Sequence, residues 1–272
     1  MESQKGMDVD LKIALVQSDI IWEDNLRNLE IFAGKLERIR EPADLVLLPE
    51  MFSTGFSVNP EKCAETMDGP SVRFLKEHSS EMNCVITGSL LIRDKDQYFN
   101  RLVAMFPDGS LFHYDKRHLF RLSEEYKVIS RGNKKVIVTV KGWKILPLVC
   151  YDLRFPVWSM NTYLNGEYEY DLLVYVANWP ESRRHVWKSL LTARAIENQA
   201  YAAGVNRIGK DGQGTGHCGE SLVSDPKGEI LASAGQDASS TLLITLEKER
   251  LDRHRESFQI GPDWDRFTLD NT

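Results

Sequence analysis

The chain has 272 residues, of which 42% are hydrophobic and 27% charged, and its net charge is −6. Those proportions belong to a globular protein with a sizeable core and exclude a disordered or collagen-like chain. The acidic balance removes any global electrostatic reason to bind nucleic acid, and no run approaches the roughly 18 apolar residues of a membrane span.

Residues 11–17 (LKIALVQ) are aliphatic and β-branched and read as a buried strand. Over residues 25–40, Leu26, Leu29, Phe32, Leu36 and Ile39 recur at three- and four-residue steps, the period of an amphipathic helix. A strand follows at 44–48, ended by Pro49-Glu50, then a helix at 72–82 and an apolar strand at 84–92. Residues 100–106 and 111–114 form a hairpin around the turn Pro107-Asp108-Gly109. The second half opens with strands at 136–140 and 144–150, a helix at 157–164, a buried strand at 171–176 and a long helix at 184–198. Strands at 200–205 and 220–224 follow, with more strand to about residue 246.

The halves share one order: strand, helix, strand, helix, strand. Apolar strands alternating with helices predict packed layers with helices outside. No linker rich in Pro, Gly or Ser separates the halves, so one domain over 1–272 with internal pseudo-symmetry is expected. The opening MESQKGMDVDLKIALVQ sets polar residues before a short apolar run, unlike a signal peptide, and a cytoplasmic protein is expected. Cys63, Cys84, Cys150 and Cys218 are far apart with no CxxC pair, which predicts neither a disulfide framework nor a structural zinc site. His217-Cys218 with a distant His lacks the converging ligands that a metal needs.

Three apolar strands end in a polar residue: Glu50, Cys150 and Asn178. Ligands of α/β sheets bind at that end of the strands. Cys150 is either a buried strand cysteine or a nucleophile exposed by the polar turn Tyr151-Asp152-Leu153-Arg154. Glu50 is either a turn acid or a general base; a carboxylate at an apolar strand end must be hydrogen-bonded or pushed toward neutrality. Lys116 in Tyr114-Asp115-Lys116-Arg117-His118 is either surface charge or a cation that would lower a neighbouring thiol's pKa and hold an oxyanion.

Taken together, Leu47-Leu48-Pro49-Glu50, Tyr114-Asp115-Lys116-Arg117-His118-Leu119-Phe120 and Val149-Cys150-Tyr151-Asp152-Leu153-Arg154-Phe155-Pro156 resemble the nitrilase superfamily of carbon–nitrogen hydrolases. Ala177-Asn178-Trp179-Pro180, Arg194-Ala195-Ile196-Glu197-Asn198 and the tail Arg255-Glu256-Ser257-Phe258 extend the resemblance over nearly the whole chain. It implies an α/β fold of the nitrilase type, an α-β-β-α sandwich with an internal pseudo-two-fold repeat. It also implies a Glu50, Lys116, Cys150 triad and a second glutamate after the lysine motif. Glu125 is preferred to Glu124, because it lies seven residues before Gly132 as the family spacing implies.

Met51-Phe52-Ser53-Thr54-Gly55-Phe56 with Lys116-Arg117-His118-Leu119-Phe120 looks most like the ω-amidase branch. The resemblance implies hydrolysis of the terminal amide of 2-oxoglutaramate and related dicarboxylic monoamides through a thioester on Cys150. Another C–N substrate, such as a nitrile, an aliphatic amide or an N-carbamoyl amine, shares the attack chemistry, and a non-catalytic binding protein could keep the fold. The backbone N–H of Tyr151 would share the oxyanion with Lys116. Arg154 is a candidate for the substrate carboxylate, unless it pairs with Asp152. Asn178 and Trp179 are expected to line the pocket, and Phe52, Phe56 and Phe120 to form apolar walls or core. The expected partners are a small-molecule amide and water, with no cofactor, metal, nucleic acid or membrane. A homodimer or higher homo-oligomer is also expected, with Trp158, Met160 and the tail 249–272 at its interface.

Overall fold

The computed structural model describes residues 10–269. In chain order the strands are β1 (Leu11–Gln17), β2 (Leu45–Leu47), β3 (Val85–Asp94), β4 (Gln97–Met105), β5 (Leu111–Asp115), β6 (Val138–Val140), β7 (Trp143–Val149) and β8 (Tyr163–Leu164). They continue with β9 (Glu167–Tyr168), β10 (Leu172–Ala177), β11 (Tyr201–Asn206), β12 (Ile208–Lys210), β13 (Gly216–Cys218), β14 (Leu222–Ser224), β15 (Ile230–Ser233) and β16 (Ser240–Leu246). The helices are α1 (Asn25–Leu36), α2 (Pro60–Cys63), α3 (Pro70–Met82), α4 (Glu125–Val128), α5 (Pro156–Ser159), α6 (Arg184–Glu197) and α7 (Lys248–Ser257).

Two six-stranded sheets carry the fold. Their orders are β16-β1-β2-β3-β4-β5 and β15-β14-β11-β10-β7-β6. In each, three parallel strands (β1, β2, β3 and β7, β10, β11) are flanked on both sides by antiparallel ones, so the internal repeat is a repeat of sheets. Side chains alternate across a strand, and that alternation builds the layers. Leu11, Ile13, Leu15, Leu45 and Leu47 share a core with Ile145, Leu172 and Val174 of the other sheet. The intervening Ala14, Val16, Val46 and Leu48 turn the opposite way, onto Leu29, Phe32 and Leu36 of α1 and Phe74 and Leu75 of α3. On the second sheet Trp187, Leu191 and Ala195 of α6 are the buried face. Helix, sheet, sheet and helix therefore stack in that order.

Local chemistry sets the boundaries. The Asp24 side chain accepts from the Arg27 N–H at the start of α1, a common N-cap. Pro70 opens α3, and Asn83 in the left-handed region closes it.

The expected helix at 157–164 does not form. One turn, α5, gives way to the small β8–β9 hairpin. Asn165 and Gly166 both take positive φ (55° and 86°) at its tip, the conformation that Asn-Gly favours in two-residue hairpins. Asn161 is held out of helical geometry by bonds from its side chain to the carbonyls of Tyr170 and Asn198. The first helix of the repeat is thus missing from the second half, although its strands are present.

In the tail, Arg255 of α7 is buried and donates to Asp171 Oδ1 (2.6 Å) and to the carbonyls of Tyr170 and Gln199. No helix among the described residues is long and apolar enough to cross a membrane. All four cysteines are free thiols.

Candidate active site

The ends of four strands meet at one point. Glu50 lies just beyond β2, Lys116 one residue past β5, Cys150 one past β7 and Asn178 one past β10. Two of these turns are strained: Met51 and Cys150 take φ of 43° and 41°. A left-handed backbone on a non-glycine residue costs about 1–3 kcal/mol and persists where its surroundings over-determine it. At Lys116 the chain is tied to both neighbours: its N–H donates to the Asn100 carbonyl (3.0 Å) and its carbonyl accepts from the Gly132 N–H (2.9 Å). A Cβ on Gly132 would lie 2.0 Å from the Asp115 carbonyl oxygen, so only glycine lets that strand end run so close.

The Lys116 Nζ stands between two carboxylates. It is 2.9 Å from Glu50 Oε1, 2.9 Å from Glu125 Oε1 and 3.1 Å from Glu125 Oε2. Both acids are fully buried and the lysine is 1% exposed. Glu50 also accepts from Asn100 Nδ2 (2.8 Å) on Oε1 and from the Asn178 N–H (2.8 Å) on Oε2. The Phe120 N–H donates to Glu125 Oε2 at 2.6 Å. Glu124, by contrast, points outward and pairs with Lys127.

Burial alone would lower the Lys116 pKa, but the carboxylates of Glu125 and Glu50 outweigh it, so the pKa is raised and the ammonium stays charged. Burial pushes the Glu125 carboxyl up against the pull of Lys116, and the charge of Glu50 adds to the rise. The Cys150 thiol is pushed well up by burial and then by Glu50, which also hydrogen-bonds it; Lys116 only partly opposes this. Lys116 does pull the thiol down, as expected, but burial and Glu50 outweigh it. The net shift favours the protonated thiol beside the Glu50 carboxylate.

Asp152 braces the turn that carries the cysteine. Its buried carboxylate accepts from Tyr114 Oη (2.8 Å), the His118 N–H (3.0 Å) and the Val149 N–H (3.1 Å), and lies 2.8 Å from His118 Nδ1. It thereby joins the cysteine turn to the lysine loop. The local Arg154–Asp152 pair, one alternative for Arg154, does not form.

Glu50, Lys116 and Cys150 line a cavity of about 250 Å³. Phe56, Phe120, Tyr151 and Trp179 supply its aromatic walls, and Arg154 and Arg183 stand in it as cations. The Arg154 guanidinium lies 5.1 Å over the Trp179 ring, and that of Arg183 lies 5.3 Å over Phe120. Neither has a carboxylate partner among the described residues. The tip of the β12–β13 hairpin covers one side with Asp211, Gln213 and Thr215. Buried Arg207 anchors that hairpin by donating to Asp19 Oδ1 (2.7 Å) and to the carbonyls of Ile20 and Lys210. His217 also reaches the cavity; burial and then the charge of Arg207 lower its pKa to about 4, so it is neutral near pH 7. Among the described residues, no group of three or more His, Cys, Asp or Glu side chains could hold a metal ion.

The profile of the carbon–nitrogen hydrolases matches residues 12–256. The chain belongs to the carbon–nitrogen hydrolase family. It is 44% identical over 259 residues to omega-amidase YafV of Escherichia coli (strain K12), which covers 95% of this chain and 98% of that protein. It is 33% identical to 2-oxoglutaramate amidase of Bacillus subtilis (strain 168), over 83% of this chain and 86% of that one. Among solved structures, the CN-hydrolase superfamily protein XC1258 of Xanthomonas campestris superposes with a TM-score of 0.94 at 40% identity, over 96% of this chain and all of that one. Nit3 of Saccharomyces cerevisiae, a nitrilase superfamily member, superposes at 0.80 with 25% identity, over 92% and 95% of the two chains.

In this carbon–nitrogen hydrolase the strand ends bring Glu50, Lys116, Glu125, Cys150 and Asn178 together, with Tyr151, Arg154 and Trp179 on the wall. Asn178 does more than line the cavity: besides its N–H on Oε2, its side chain donates to the Glu50 carbonyl (2.6 Å), clamping that residue from two directions. Phe52 is core, packed on Phe32 and Phe74. Sequence reading missed Asn100, Arg183, the structural part of Asp152 and the 211–215 tip. A polar Asn inside the strand Phe99-Asn100-Arg101-Leu102 was a visible signal for the first. Arg183, five residues past Asn178 at the same sheet end, was one for the second.

Proposed function

We propose that this enzyme releases ammonia from the terminal amide of small dicarboxylic monoamides such as 2-oxoglutaramate. What carries the reading is the pair of unpaired guanidinium groups, Arg154 and Arg183, in the same cavity as Cys150. Such groups bind a carboxylate through charge-assisted hydrogen bonds. The likeness to proteins named omega-amidase and 2-oxoglutaramate amidase supports the same substrate class.

Glu50 takes the thiol proton as the Cys150 sulfur attacks the amide carbon. The oxyanion is held by Lys116 Nζ and the Tyr151 N–H. The intermediate collapses, the C–N bond breaks, and the leaving nitrogen takes the proton from Glu50 and departs as ammonia. A thioester remains on Cys150. Glu50 then takes a proton from water as the water attacks the thioester carbon, and returns it to the sulfur as the dicarboxylate leaves. Glu125 keeps Lys116 aimed and charged. Arg154 and Arg183 hold the substrate's far carboxylate against the aromatic wall.

The test is ammonia release from 2-oxoglutaramate, succinamate, a simple aliphatic amide, a nitrile and an N-carbamoyl amino acid. The first two are expected to react fastest. In Arg154→Met/Arg183→Met their KM is expected to rise roughly 10-fold or more, as loss of a hydrogen bond between charged groups implies, while the aliphatic amide is unaffected. A wild type that hydrolyses the uncharged amide as readily as succinamate would remove the carboxylate-reading pocket.

The enzyme is further proposed to self-associate through the face where the tail meets the β8–β9 hairpin. Val157, Leu164 and Phe267 are each about half exposed there, around a cavity of about 660 Å³. Trp158, expected at the interface, is instead buried within the chain, its indole N–H on Tyr114 Oη at 2.9 Å. Light scattering should give a dimer mass that Leu164→Asp/Phe267→Asp reduces to that of a monomer. A monomeric wild type at micromolar concentration would refute this.

A further inference from the structure

We infer that Asn100 is a positioning residue for the proposed reaction, donating to both Glu50 and Glu125 and confining the transferred proton to the Oε2 edge of Glu50. The inference rests on Glu50 acting as the base.

Asn100 lies on β4, fully buried. In the β4–β5 register Arg101 faces Asp115, so the next pair is Asn100 and Lys116, joined by the Lys116 N–H on the Asn100 carbonyl. Residues opposite one another on neighbouring strands share a face. The register that delivers the ammonium to the site therefore delivers the carboxamide beside it.

The two groups converge on the same oxygens. Asn100 Nδ2 is 2.8 Å from Glu50 Oε1 and 3.4 Å from Glu125 Oε1. Lys116 Nζ is 2.9 Å from each. A carboxamide nitrogen and an ammonium only donate, and a carboxylate oxygen has two lone pairs. Two donors therefore saturate Glu50 Oε1, and no proton can settle there without expelling one of them. Oε2 accepts from the Asn178 N–H and keeps a lone pair for the proton from sulfur.

The alternative without Asn100 is chemically familiar. With Asn100 gone, Lys116 alone still donates to Glu50 Oε1, so a lone pair opens there beside Glu125, and buried carboxylates this close can share a proton that belongs to the pair. Such a proton, parked between the Oε1 atoms, would leave no base at the thiol. The amide's own oxygen is buried with no hydrogen-bond partner. Its orientation is thus set by the carboxylates that claim its nitrogen.

Asn100→Leu keeps the approximate shape and removes the donor; Asn100→Thr is the second variant and keeps a hydroxyl donor. Two profiles against pH are measured on folded protein: kcat/KM for succinamate, and the rate of Cys150 alkylation by iodoacetamide, located by mass spectrometry. For Asn100→Leu, kcat is expected to fall about 10- to 100-fold, the loss of one hydrogen bond to a charged group, with KM within about two-fold. The acid limb of both profiles should move to higher pH by about one unit, since a tenfold change in affinity for a proton is one unit. Asn100→Thr should fall between Asn100→Leu and wild type. An unmoved acid limb in folded Asn100→Leu would overturn the inference whatever happens to kcat, and so would failure of both variants to fold, since either outcome makes Asn100 purely structural. The alkylation profile needs no substrate. A wild type inactive on every amide therefore sinks the substrate assignment and leaves this inference to be decided separately.

Discussion

Cys150→Ser is expected to lose ammonia release by about 10⁴-fold or more, the scale of removing a nucleophile, while keeping its fold and melting temperature. The physical reason is the match between acid and base. Glu50 is a carboxylate, a weak base even when buried, and it can draw a proton from a thiol as the sulfur attacks. Burial and the neighbouring charge already push the Cys150 thiol up. A serine hydroxyl is a far weaker acid than a thiol, and the same base cannot deprotonate it. Cys63→Ser and Cys84→Ser should leave the rate unchanged, since neither side chain lines the cavity. Ammonia release and near-ultraviolet circular dichroism, measured together, check this. A Cys150→Ser enzyme with more than a few per cent of wild-type activity would remove the thioester from the mechanism.

Lys116→Met should be the most damaging change to stability in the site, because among the described residues the lysine is the only cation between two buried acids. Methionine fills similar space but leaves Glu50 and Glu125 facing each other uncompensated. Removing one partner of a buried pair costs about 3–5 kcal/mol, which in a chain of this size lowers the melting temperature by roughly 10 °C. Loss of an oxyanion donor should lower kcat by a further factor of about 10²–10³. The stability loss has a sign in pH. Glu125 is already pushed up in the folded protein, by burial first, and without Lys116 it is pushed further. A carboxyl with a raised folded-state pKa contributes stability below its unfolded value and loses it as pH rises through the folded one. The variant should therefore lie closer to wild type at pH 5 than at pH 8. Melting curves at the two pH values test this; an equal deficit at both would mean that the carboxylate pair is not the source of the loss.

Much of the site was legible because Glu50, Cys150 and Asn178 each interrupt an apolar strand at its end, and strand ends are readable from hydropathy. Glu50 after Leu47-Leu48-Pro49 and Cys150 after Leu148-Val149 are of this kind. Glu125 was reached only through family spacing, because its own neighbours, Glu124 and Tyr126, carry no periodic signal. Asn100 was passed over since a strand read alone does not reveal what its buried face meets. The helix expected at 157–164 failed for a related reason. Its apolar residues were real, but Asn161 found partners on Tyr170 and Asn198, and Asn165-Gly166 favoured a hairpin.

By itself the sequence determined most of the strand and helix order, since that follows from local periodicity, while Glu50, Lys116 and Cys150 were singled out as a set only by the resemblance of their motifs to the nitrilase superfamily. Tertiary structure alone decided which acid meets the lysine, that burial and Glu50 push the Cys150 thiol up, that Arg154 is free of Asp152 and shares its cavity with Arg183, and that Asn100 stands between two carboxylates. These depend on distances of a few ångströms between residues far apart in sequence, such as Lys116 and Glu50 at 66 positions, and on how much water burial removes from between them. Neither quantity is written in any local window of the chain.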